Sequence, residues 1–125
     1  MKISVLTPDT VKWPVRIVIP SGNGSTQNLK MTGVFRLLTG DELRELEASI
    51  TSLRDGDRDA DGRIVNRDAA FARRVLVGRE NVEDEDGEAL PFNDETRDAL
   101  LRSHHAAKGV CEGFYDMMNG RKAKN

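Results

Sequence analysis

A single cysteine, Cys111, leaves this chain of 125 residues no internal disulfide framework, and one free thiol fits a reducing compartment. No apolar run approaches the roughly 18 residues of a membrane span, and the first residues lack the apolar core of a signal peptide. Charge of one sign is lacking as well: the formal net charge is −2, which gives no argument for nucleic acid. Repeats and low-complexity tracts are absent too. Catalytic signatures are thin. There is no G-x-S-x-G nucleophile motif, and "SGNGS" lacks the lysine and following helix of a phosphate loop. His104, His105 and Cys111 supply too few ligands for a zinc site and read as a surface histidine pair beside a core cysteine. The carboxylates of "EDEDGE" lie in a turn-like stretch, solvated rather than poised. Together these absences point away from an enzyme, a cofactor, nucleic acid and a membrane, and toward a soluble cytoplasmic protein.

What is present amounts to one domain with a modest core, since apolar residues make up 38% and charged residues 32%. "VKWPVRIVI" places Val11, Trp13, Val15, Ile17 and Ile19 on one face of a strand, with Lys12 and Arg16 on the other. "PSGNGSTQN" suits a hairpin loop, and "LKMTGVFRL" returns with Leu29, Met31, Phe35 and Leu37 on one face. Pro14 has no N–H to donate, which puts the first strand at an edge or a bulge. "KISVLT" can add a short third strand. Thr39 with Glu42 predicts a capping box opening a helix whose apolar side is Leu43, Leu46, Ile50 and Leu53. A second helix carries Phe71, Val75 and Leu76 and stops near Gly78. Asn93 caps a third, and a fourth sets Ala107, Val110, Cys111, Phe114, Met117 and Met118 on one stripe. Gly109 and Gly113 weaken this last helix by about 1 kcal/mol each relative to alanine, so it depends on packing. The expected fold is α+β: an N-terminal antiparallel hairpin or small sheet over 1–38, a bundle of about four helices over 39–120, and a basic flexible tail over 121–125.

"DRDADGRIVNRD" spells a calcium loop, with Asp57, Asp59, Asp61 and Asp68 at the ligand positions 1, 3, 5 and 12 and Gly62 at the turn. The flanking helices do not fit the template. The residue before the loop is Gly56 rather than a bulky apolar one, and Ala69, Ala72 and Arg73 stand where apolar clamps belong. Asp68 is one methylene shorter than the bidentate glutamate of that position, and it is equally placed to favour the N-terminal end of a helix. No second loop is available to pair with it.

The run "FARRVLVGRENVEDEDGEALPFNDETRDALL", Phe71 to Leu101, resembles the central signature of tail assembly chaperones of long-tailed bacteriophages. "MTGVFRLLTGDELREL" is similar to a recurrent block of the same family, and the order of blocks covers nearly the whole chain apart from the acidic insert around 54–66. Two positions depart from the pattern: Arg79 replaces the tryptophan that follows V-L-V-G, and Asn81 replaces a glycine. The resemblance implies a non-enzymatic protein that binds the helical tape measure protein, keeps it soluble in the host cytoplasm until tail tube subunits assemble around it, and is absent from the virion. Further implied partners are the tube subunits, a frameshift-extended form of the chain and other copies of it. The helix-in-groove mode would draw on Leu100, Leu101, Val110, Phe114, Met117 and Met118, the methionines giving an adaptable surface. The hairpin edge is a second candidate surface, for strand addition. Alternatives are another phage tail morphogenesis or completion protein, and a weak calcium-binding module.

The ending Ala123-Lys124-Asn125 can be encoded GCA AAA AAC, on which two tRNAs slip back one base. The gene is expected to carry that run with an overlapping frame downstream; codons that spell no slippery run would sink the extended form.

Overall fold

The alternation from Val11 to Ile19 is realised as an edge strand in a computed structural model, which describes residues 9–54, 56–58, 66–80 and 91–120. Strand β1 (Thr10–Gly22) pairs antiparallel with β2 (Ser25–Arg36), which pairs antiparallel with β3 (Leu76–Glu80), giving the sheet order β1-β2-β3. Four helices are seen among the described residues: α1 (Gly40–Thr51), α2 (Arg67–Val75), α3 (Asp94–Leu101) and α4 (His104–Met118). The fold is α+β, as expected, but the sheet is completed from within the helical half.

The hairpin is longer than its composition suggested. Its strands run through the polar residues at the tip, so the turn shrinks to Asn23-Gly24 between Gly22 and Ser25. Both turn residues have positive φ, the condition that favours Asn-Gly in a two-residue hairpin. Val15, Ile17, Met31 and Phe35 face the helices and are buried, whereas Val18 and Leu29, nearer the tip, are exposed.

Hydrogen-bond parity explains the prolines. Leu37 N–H donates to the Asp9 carbonyl at 3.0 Å, and these residues lie on the same register as the ladder Val11↔Phe35, Trp13↔Gly33, Val15↔Met31. Odd-numbered residues of β1 therefore exchange bonds with β2, and even-numbered ones turn their backbone groups to the free edge. Pro14 and Pro20 both fall on even positions, where no ladder bond is lost.

The expected second helix ends early. Leu76 leaves the α region (ψ 107) and starts β3, which joins β2 through Val34↔Gly78 and Phe35↔Leu76 with a bulge between them. Leu76 fits a helical stripe with Phe71 and Val75, but its burial is reached through the sheet. Residues 1–8, with "KISVLT", and the tail 121–125 lie outside the described residues.

Helix α4 lies against β1 at very short range. A Cβ on Gly109 would stand 2.6 Å from the Arg16 carbonyl oxygen, and one on Gly113 would stand 3.1 Å from Val15 Cγ2. The two glycines that weaken α4 as an isolated helix are what let it meet the strand. Phe114, one residue on, is fully buried, edge-on to Phe35 of the sheet (5.8 Å) and to Phe71 of α2 (5.3 Å).

Gly109→Ala is expected to destabilise the protein by about 1–2 kcal/mol. Overpacking costs roughly 1–3 kcal/mol and outweighs the helix-propensity gain of about 1 kcal/mol, because the obstacle is backbone. Gly113→Ala meets a side-chain methyl and should fall closer to neutral; urea denaturation of the two variants measures the difference.

Candidate partner-binding surface

The spacing that suggested a docking stripe on α4 serves the core. Val110 and Phe114 are 0% exposed, Leu101 2% and Met117 7%. All four belong to the hydrophobic core, so in this conformation they do not form an exposed docking face. Leu100 and Met118 are half-buried at the margin of the same core. Helix α4 also crosses the middle of the hairpin edge, meeting β1 at the Pro14 and Arg16 carbonyls through Gly113 and Gly109. Strand addition is blocked there.

Of the calcium-loop residues, Asp59 and Asp61 lie outside the described residues, and Asp57 and Asp68 lie within them. Asp68 is in the first turn of α2, next to the Asn66 cap, and its carbonyl accepts the Cys111 thiol at 3.2 Å. The incoming helix ends at Thr51, so Ser52 to Gly56 separate it from Asp57 and no helix abuts the start of the loop. Among the described residues no group of three or more His, Cys, Asp or Glu side chains is placed to hold a metal ion.

Sequence reasoning missed how α1 is seated. Its predicted capping box is present: Glu42 N–H donates to Thr39 Oγ1 (3.2 Å) and Thr39 N–H to Glu42 Oε1 (3.0 Å). The Thr39 N–H first, and then the Thr39 side chain, hold the Glu42 carboxyl below its ordinary pKa. No residue of α1 is buried; Leu43, Leu46 and Ile50 only rest against the core. Two distant side chains fasten it. Tyr115 Oη of α4 donates to Glu47 Oε2 at 2.8 Å. Arg67, the first residue of α2, donates to the carbonyls of Leu53 (2.7 Å) and Thr51 (3.2 Å), supplying the positive group that the last turn of α1 lacks. A cleft of about 260 Å³, lined in part by Arg36, Leu38, Leu46 and Arg74, runs along the helix.

A second polar cluster ties α2 to α3. Asp98 accepts from Arg73 (3.1 Å) and Arg97 (3.3 Å), and Arg97 also reaches Asp94 at 3.4 Å. Nearby, Arg79 lies 5.7 Å from the centre of the Phe92 ring, and burial lowers its pKa from the ordinary value. Arg79 and Trp13 both pair with Gly33, on either side of it. Among the described residues Trp13 Nε1 and Arg79 Nε and Nη2 are buried with no hydrogen-bond partner, a cost of about 1–3 kcal/mol per group.

No helix of the described residues is long and apolar enough to cross a membrane. No protein-family model matches the chain, and neither a curated protein nor a solved structure does.

Two half-buried acids set the alkaline behaviour. Burial first, then the charges of Asp68 and Glu112, pushes the Cys111 thiol up to about 12. Burial and the bond to Glu47 raise the Tyr115 hydroxyl above its ordinary value. Each group stays neutral in the fold while the unfolded chain ionises. Stability from Cys111 is thus complete below the unfolded thiol value of about 8.5 and is lost as pH rises toward about 12, with Tyr115 adding its loss above about 10. Urea midpoints should fall from about pH 9 upward, and Cys111→Ala should flatten the early part of that fall.

Proposed function

We propose that this chain is a tail assembly chaperone of a long-tailed phage, which binds the tape measure protein and keeps it soluble until the tube assembles. The observation that carries this reading is the order of sequence blocks from Phe71 to Leu101. Within it Phe71, Val75, Leu76 and Leu101 are buried, Phe92 and Leu100 are half-buried and Val77 is exposed, and Asn93 caps α3 by accepting from Thr96 N–H at 2.9 Å. The signature residues thus account for the crossing from α2 into the sheet and for the start of the last helix pair. Arg79, where the family pattern has tryptophan, still covers an aromatic ring there, that of Phe92. The host cytoplasm is the site of action in this reading, and the finished virion lacks the protein.

Co-expression with the tape measure protein of the same phage tests the proposal. The tape measure protein is expected in the soluble fraction only when this chain is present, and the two should co-purify. Equal insolubility with and without the chain would refute the role, and recovery of the chain from purified virions would make it a tail component instead.

A further inference from the structure

We infer that α1 is a displaceable helix, and that the seat it covers on α2 and α4 is where an amphipathic helix of a partner docks. As a docking seat for the chaperoned protein this rests on the function proposed above; the displacement of α1 does not.

The molecule itself shows what the seat accepts. Helix α1 contributes Leu43, Leu46 and Ile50, apolar residues at positions i, i+3 and i+7, and Glu47 at i+4. Tyr115 of α4, whose ring stacks on Phe71 of α2 at 5.4 Å, reaches α1 through Glu47, and the half-buried Leu43, Leu46 and Ile50 pack against the core. The seat also ends in fixed polar groups: the Tyr115 hydroxyl for a carboxylate, and Arg67 for the carbonyls of a helix C-terminus. A partner helix with the same apolar spacing and one acidic residue can make each of these contacts. Helices α2 and α4 are not exchangeable in this way. Helices α2 and α4 each place four or more residues in the core, whereas α1 places none and leaves an open cleft along its side. Elements with few buried apolar residues open at lower free energy than the core. The seat thus comes with its own competitor, and a partner must outcompete an intramolecular helix.

Hydrogen exchange on the intact protein reads the displacement. Amides of α1 are expected to exchange roughly tenfold or more faster than those of α4 and β1. Exchange of all three at one rate means that α1 opens only with global unfolding, and overturns the inference whatever the protein's role. The second measurement uses a fluorescein-labelled peptide of residues 38–54 as the probe. Leu46→Ala with Glu47→Ala loosens α1 and leaves the seat unchanged. This variant should keep the Trp13 indole resonance of the folded chain and bind the peptide roughly tenfold more tightly than wild type. A further Tyr115→Phe change, or Gln for Glu47 in the peptide, should weaken that binding; a scrambled peptide should not bind. Global unfolding of the loosened variant, or failure of its folded form to bind the peptide, overturns the seat. A concentration-dependent dimer of the loosened chain would assign the seat to a second copy's α1 and overturn the partner helix as occupant. A chaperone that fails co-expression but passes both measurements loses its role and keeps its exchangeable helix.

Discussion

The close approach of α4 to β1 at Gly109 is the constraint on which the rest of the fold depends. With backbone against backbone there, Val110 and Phe114 project between the sheet and α2, and Phe114 meets Phe35 on one side and Phe71 on the other. Set the helix back by a methyl group and those rings lose contact, because van der Waals attraction decays within an ångström of its optimum. Helix formation alone would favour alanine at these positions. Packing overrides propensity, and a helix that is weak in isolation becomes the centre of the core.

Around that centre the other elements hold by different means. The α2–α3 pair is joined by half-buried charges converging on Asp98, whose shielding makes them stronger than surface pairs. The Lys12–Glu80 pair between β1 and β3 is exposed and contributes little by comparison. Helix α1 is held by its own cap, one tyrosine and one arginine. The gradient from buried aromatic contact to exposed hydrogen bond is also a gradient in how readily each part opens.

Much of this was legible in the residues. Period-two alternation gave β1 and the returning strand, Thr39 and Asn93 marked two helix starts, and Pro14 marked an edge. Strand β3 was not legible. Leu76 lies at helical spacing from Phe71 and Val75, the strand is only five residues long, and its partner residues lie more than forty positions earlier in the chain. Four of the six candidate docking residues lie in the core for a related reason: a stripe at three- and four-residue steps looks the same whether it meets the core or a partner. The contacts of Arg67 and Tyr115 with α1 were invisible because each joins residues on different helices. The orphaned donors of Trp13 and Arg79 depend on a pairing through Gly33 that only the sheet register reveals.

The parity of the hairpin has a consequence for assembly. Polymerising through a sheet requires two usable edges, one to receive a strand and one to offer. Here β1 turns Pro14 and Pro20 to its outer side and lies under α4, so that edge is spent. Among the described residues the opposite edge is β3, a short strand ending in Arg79 and Glu80. A sheet with a single usable edge is monovalent. Among the described residues, two copies meeting there leave this sheet no second edge to offer a third.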